Sequence, residues 1–389
     1  MLIARARRLA ATITAHLHER ALLLPEHRII SLVVNKAERL SDNGADKAEL
    51  VFLREVHDKN SRRLAELKAR RINRAVFALR SLMLRLPTPI QASAKGILGG
   101  MLGRARGRPV PGLARSAPLR LATAVPFGKH LPPPTLSAPV GVIMHIFYPE
   151  LAAEMRAYLK NIPGPVDLYI STDTAEKQKR LDQIFTGWAA GQVTTRLAPN
   201  RGRDIAPKLV SFRDVYARHS IVLHLHSKKS PHDSCLRMWR YFLFENLMGE
   251  REIATSILAA LEHTPSLGMV ASDHYFAVSN NIAWDDNLDI AQALARRMGM
   301  SIDPEAPLDF PSGSMFWAKS AALKPLLDLN LSAEDFPPED GQVDATLAHA
   351  IERIYFRACE EAGFEWVRVC RPELAGDDGQ RAKGLNDRR

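Results

Sequence analysis

The sequence predicts an α/β fold with a mainly parallel sheet and flanking helices, preceded by a basic helical region. Three observations carry that reading. Between residues 140 and 369, short β-rich apolar runs alternate with helical stretches, the pattern of a parallel sheet. Residues 87–139 are crowded with Pro and Gly, which break any regular element. Charge also divides the chain: residues 1–139 hold 25 Lys/Arg and 9 Asp/Glu, a balance of +16, while residues 140–389 carry −6.

Taken in order, residues 1–86 read as a basic helical region. No proline occurs between His27 and Leu86, and Leu, Ala, Arg, Glu and Lys dominate. Val51, Leu53, Val56, Leu64 and Leu67 sit among Arg62, Arg63, Glu66, Arg70 and Arg71. Two readings fit equally: a helical hairpin with a solvated basic face, and a helix lying on anionic lipid. His16, His18, Glu19 and Arg20 interrupt Met1–Leu24, which therefore lacks the apolar run of a signal peptide and is expected to stay in the cytoplasm. No apolar stretch approaches the roughly 20 residues that span a bilayer. Residues 87–139, with Arg104, Arg106, Arg108, Arg115 and Arg120 among the prolines and glycines, read as a basic linker.

From Pro139 the texture changes, and residues 140–375 read as the α/β domain, followed by a polar tail at 376–389. Strands are predicted at 140–147, 166–172, 193–197, 220–226, 268–272, 315–318 and 366–369. Helices are predicted at 150–161, 175–188, 205–216, 239–248, 251–263, 289–299 and 343–362, the last stopped by Gly363. Ligands of such sheets bind beyond the carboxyl ends of the strands. That rule gathers His145, Ser171–Asp173, Asn200–Asp204 and His226–Ser230 around one crevice.

Composition narrows the function. An apolar fraction of 46% supports a sizeable core. Cys235, Cys359 and Cys370 form no CxxC pair, which suggests neither a disulfide framework nor a zinc knuckle. The basic first third lacks a nucleic-acid reading motif and aromatic platforms, so no nucleic-acid partner is assigned.

Four constellations carry chemistry. In Asn200-Arg201-Gly202-Arg203-Asp204, Gly202 permits a tight turn and the helix start that follows offers N–H groups to an anion. Asp204 could equally cap that helix. In His224-Leu-His226-Ser-Lys228-Lys229, alternation puts both histidines on one strand face, as a packed pair or as ligands. Lys228 and Lys229 follow at the sheet's carboxyl edge, where a pyrophosphate would lie. In Phe310-Pro-Ser-Gly313-Ser314-Met-Phe-Trp317, backbone, hydroxyls and aromatics suit a sugar ring, although a turn entering a core strand explains the aromatics as well. Near the last long helix, Glu339, Asp340 and Asp344 are candidate general bases or helix-start acids, with His349 one turn further on.

Together these stretches resemble the rhamnan synthesis protein F family. The matching words are HIFYPEL, VDLYIST, NRGRDIAP, HLHSKKS, FPSGSMFWAK and the ED-GQ-DATLAHAIER run, in order over residues 140–369. The resemblance implies assembly of rhamnose-rich cell-surface polysaccharide such as O-antigen, at the inner face of the plasma membrane and beside other polysaccharide-assembly enzymes. The order of parts is also similar to an inverting glycosyltransferase of the GT-A kind. It implies a nucleotide-sugar donor, dTDP-rhamnose, and a lipid-linked glycan acceptor. The alternative is a non-catalytic glycan- or nucleotide-binding partner of another transferase. On the transferase reading Glu339, Asp340 or Asp344 deprotonates the acceptor. His145, Asp173, the Asn200–Asp204 loop, His224, His226, Lys228, Lys229, Gly313, Ser314, Trp317 and His349 line the binding site. One departure matters. Where that class carries Asp-x-Asp for a divalent metal, this chain reads His224-Leu-His226 and then two lysines. The carboxylates that hold Mg²⁺ or Mn²⁺ are missing, so no metal ligand or cofactor is assigned, and fixed cations are expected to meet the leaving diphosphate.

Overall fold

The computed structural model describes residues 28–32, 57–58, 60–62, 122–127, 131–136, 138–228, 236, 238–279, 282–339 and 344–375. The chain divides into two compact units, residues 1–115 and 116–389. In the first, the described residues are helical, with Ile29 and Ile30 buried. The remaining expectations for residues 1–86, most of the linker and the tail at 376–389 lie outside the described residues.

The second unit is built on a sheet whose eight described strands are β1 (Thr123–Ala124), β2 (Val140–His145), β3 (Val166–Thr172), β4 (Val193–Leu197), β5 (Ile221–His226), β6 (Leu267–Ser272), β7 (Phe316–Lys319) and β8 (Glu365–Cys370). Their spatial order is β1-β8-β6-β7-β5-β2-β3-β4. The sheet is mainly parallel, as predicted. Only β7 runs against its neighbours β5 and β6. β1 was not predicted. It comes from the stretch read as linker, pairs with β8 and is followed by buried Val125 and Phe127. A two-residue strand offers too short a pattern to stand out among prolines.

Helices cover both faces. α1 (Ala152–Leu159), α2 (Ala175–Phe185), α3 (Trp239–Met248) and α4 (Arg251–His263) pack on one. α5 (Leu288–Arg297), the short α6 (Lys324–Leu327) and α7 (Leu347–Glu361) pack on the other. Burial from both sides explains why β2 and β6 are apolar without alternation, every residue of each being buried. β4, at the sheet's edge, leaves Val193 and Leu197 exposed.

One predicted helix is corrected. Residues 205–216 do not form a continuous α-helix: Pro207–Ser211 is a π turn and Arg213–Ala217 a 3-10 turn. The widened turn accompanies a fully buried Lys208, whose backbone carbonyl accepts the Tyr216 hydroxyl at 3.2 Å. A residue pulled into the core there is incompatible with the even surface spacing of an α-helix.

The topology fixes the functional edge. From β2 the chain moves outward through β3 to β4, then returns to place β5 on the other side of β2. The connections therefore part above β2 and β5 and open a crevice at their carboxyl ends. The antiparallel sense of β7 carries the turn before it, at Gly313 and Ser314, to the same edge, since Phe316 pairs with His224.

Candidate functional site

A cleft of about 490 Å³ opens at that edge. It gathers residues from six separated segments: His145 at the end of β2, Asn200, Arg203 and Asp204 after β4, His226 and Lys228 at the end of β5, Gly313 and Ser314 before β7, Glu339, and His349 and Glu352 in the first turns of α7. Phe147, Tyr148 and Ser227 also line it.

The Asn200–Asp204 loop is strapped by the segment leading to Glu339. Arg201 forms an antiparallel bridge with Pro338, and its guanidinium donates to the Phe336 carbonyl at 2.9 Å. Gly202 has φ +62°, and a Cβ there would lie 2.7 Å from that of Ala206 and collide with the Phe336 ring. Arg203, with φ +54°, donates its backbone N–H to Glu339 Oε1 at 3.1 Å, and its Nε lies 3.6 Å from Glu339 Oε2. A bulky residue held in the left-handed region by such contacts is a mark of a functional loop.

Beside it, Lys208 donates to Asp204 Oδ2 at 2.7 Å and to the Ser314 carbonyl at 2.9 Å. Burial opposes the charge of Asp204, but His226, Lys208 and Lys228 outweigh it and hold the carboxyl below the usual range. Burial pushes the Lys208 and Lys228 ammoniums down, and Asp204 and Glu352 respectively oppose this.

Three histidines face the cleft uncharged at neutral pH. Burial presses His145 down to about 4, His226 to about 3 and His349 to about 4. Each is anchored by one ring nitrogen: His145 Nδ1 to the Ser171 hydroxyl at 3.0 Å, His226 Nε2 to the Gly313 carbonyl at 2.9 Å, and His349 Nδ1 to the Thr346 hydroxyl at 2.7 Å. The His226 contact requires the Nε2–H tautomer, because a carbonyl only accepts.

Other predicted residues stand elsewhere. Trp317 does not offer a stacking face: it is fully buried in the middle of the sheet, its indole donating to the Leu247 carbonyl at 3.0 Å. His224 is sealed against Phe316 and Tyr355, with Nε2 2.8 Å from the Tyr216 hydroxyl. Arg201 and Gly202 shape the loop without lining the cleft. Asp173 is paired with Lys177 at 2.6 Å and does not line the cleft. Asp344 accepts from Asn287 at 2.7 Å and lies 3.5 Å from Arg353. Lys229 and Asp340 lie outside the described residues.

Sequence reasoning missed Glu352 and Lys208, as well as the lining residues Phe147 and Tyr148. Glu352 lines the cleft and accepts the Gly313 N–H at 2.7 Å. Lys208 joins the loops after β4 and before β7. The only sequence signal for Glu352 is its spacing, three residues beyond His349 on one helix face.

His224, His226 and Asp204 do not fit a hard divalent cation. The His224 ring is enclosed by aromatics, His226 commits Nε2 to a carbonyl, and Asp204 is neutralised by Lys208. Among the described residues no cluster of three or more His, Cys, Asp or Glu is arranged to hold a metal.

A crevice at the carboxyl edge of an α/β sheet, lined by cations, carboxylates and neutral imidazoles, is the candidate site of this chain. The chain belongs to the rhamnan synthesis protein F family, whose model matches residues 133–364. It is also similar to two proteins from strains of Xanthomonas campestris pv. campestris, each described as uncharacterized protein WxcX, at 36% identity over 230 residues. That segment is 59% of this chain and 32% of theirs, so the chain matches about a third of the length of these relatives.

Proposed function

We propose that this chain is a glycosyltransferase that moves rhamnose from dTDP-rhamnose to a lipid-linked cell-surface polysaccharide by a single, inverting displacement. The carrying observation is the cleft itself: stretches of the family-matched segment that are distant in sequence meet at the sheet edge where α/β domains bind ligands.

In the reaction the acceptor oxygen attacks the anomeric carbon as the bond to the diphosphate breaks. The bonding electron pair leaves on the diphosphate oxygen. Arg203 and Lys228 meet that developing charge, and their fixed position needs little reorganisation during the step. The acceptor's proton passes to a carboxylate of the cleft. Neutral His145, His226 and His349 supply hydrogen bonds to sugar hydroxyls without adding charge. No helix among the described residues is long and apolar enough to cross a membrane. The basic N-terminal region would bring the domain to anionic lipid, where the acceptor and the other polysaccharide-assembly enzymes reside, at the cytoplasmic face.

Isothermal titration with dTDP-rhamnose tests the donor site. Saturable binding that Arg203→Ala and Lys228→Ala weaken is the expected result, and absence of binding refutes the proposal. One observation favours the alternative of a non-catalytic nucleotide- or glycan-binding partner: Asp204 and Lys208 neutralise each other beside the cleft, leaving few cations for a leaving group. Donor binding without turnover would select that alternative.

A further inference from the structure

Four described carboxylates stand in or near the cleft, and their surroundings separate them. Asp344 is turned away to Asn287 and Arg353. Asp204 is the buried partner of Lys208, held as an anion below the usual carboxyl range, burial notwithstanding. Such a group holds a proton weakly. Glu339 reaches the cleft, but Oε1 accepts the Arg203 N–H and Oε2 faces the Arg203 guanidinium.

Glu352 differs from all three. It projects from α7 one turn beyond His349, and both line the cleft. Its Oε1 accepts the Gly313 N–H at 2.7 Å, while Oε2 has no hydrogen-bond partner among the described residues. The peptide that fixes it is itself braced: the Gly313 carbonyl accepts from His226 at 2.9 Å, and Gly313 has φ +86°. The carboxylate is thus oriented through one oxygen and available through the other, the arrangement a general base requires.

We infer that Glu352 is the carboxylate that takes the acceptor's proton, an assignment that rests on the transferase reading and replaces Glu339 and Asp344, the two described acids the sequence singled out. The acceptor oxygen forms its bond to the anomeric carbon, the diphosphate departs with the electron pair, and the hydroxyl proton moves to Glu352 Oε2, to be returned to solvent after product release. Burial pushes the Glu352 carboxyl up, and Lys228, at the end of β5, opposes it. Asp204, from the loop after β4, adds to the rise, while the Gly313 N–H and Arg353 on α7 offset it. The result is a stronger base than an ordinary exposed carboxylate.

The test uses the full chain with dTDP-rhamnose and lipid-linked acceptor. Glu352→Gln keeps an acceptor for the Gly313 N–H and removes the base. Its kcat should fall about a hundredfold or more, the contribution of a positioned general base, with donor KM changed only a few-fold. Wild-type kcat should fall as pH drops through the Glu352 pKa, and that acid limb should vanish in Glu352→Gln. Glu352→Asp, with its carboxylate one methylene shorter, should recover part of the rate and move the limb. Should the Gln variant fail to fold, an unmoved limb in the Asp variant overturns the assignment. Wild-type turnover in Glu352→Gln, or an unchanged acid limb, also overturns it while leaving the transferase reading intact. A wild-type protein that binds donor but transfers nothing removes both.

Discussion

The ammonium of Lys208 lies 2.7 Å from the carboxylate of Asp204, and neither side chain is open to solvent beyond 12% exposure. The pair ties the loop after β4 to the turn before β7 through the Ser314 carbonyl. Removing one member of a buried ion pair strands the other charge, which costs about 3–5 kcal/mol. Lys208→Met should therefore lose about that much stability in urea unfolding at pH 7. Adding Asp204→Asn should recover much of it, since no bare charge then remains. A loss under about 1 kcal/mol in the single variant would show that the pair is not sealed as described.

The cleft histidines make stability fall in acid. Burial holds His145, His226 and His349 at about 4, 3 and 4 when folded, against about 6.5 when unfolded. The unfolded chain therefore takes up protons first. Their contribution is complete above about pH 6.5 and declines as pH falls towards the folded values. His145 and His226 should each remove about 2 kcal/mol between pH 7 and pH 5, and the less enclosed His349 less. Urea unfolding at the two pH values checks this. His145→Gln should reduce the difference by about that amount, and an unaltered difference would mean that His145 is not buried neutral.

The basic N-terminal region should hold the protein on anionic vesicles. Each Lys or Arg close to such a surface contributes about 1 kcal/mol, so a handful suffices. Deleting residues 1–85 should release the protein in a flotation assay and leave the 116–389 unit folded by circular dichroism. Equal flotation of both proteins would place the lipid contact elsewhere. Raised salt should weaken binding of the full chain.

Much of the frame was legible because local pattern carries it. The bounds of β3 and β4 follow from β-branched runs between turn residues, and those of α3 and α4 from uninterrupted helix formers. Several cleft-lining words were legible for the same reason: His145 and His226 end strands, Asn200–Asp204 follows β4, and His349 opens α7, whereas Gly313 and Ser314 precede β7. Contacts between distant segments were not. Nothing in the sequence marks Lys208: its role rests on meeting the Ser314 carbonyl, which depends on β7 entering the sheet antiparallel. Trp317 reads equally as a sugar platform or a core residue, and only the central position of β7 decides for the core. His224 and His226 do share a strand face, but two residues of depth separate a sealed aromatic cluster from the cleft.

On the proposed mechanism this chain's own cations support transfer. The full-length protein would be incubated with radiolabelled dTDP-rhamnose and lipid-linked acceptor, with and without EDTA, and label in the lipid fraction counted. Label should accumulate equally under both conditions. Arg203→Ala or Lys228→Ala should lower the rate roughly a hundredfold, the cost of losing one fixed contact to developing charge. Transfer abolished by EDTA and restored by Mn²⁺ would contradict the account, as would no transfer by a protein that binds the donor.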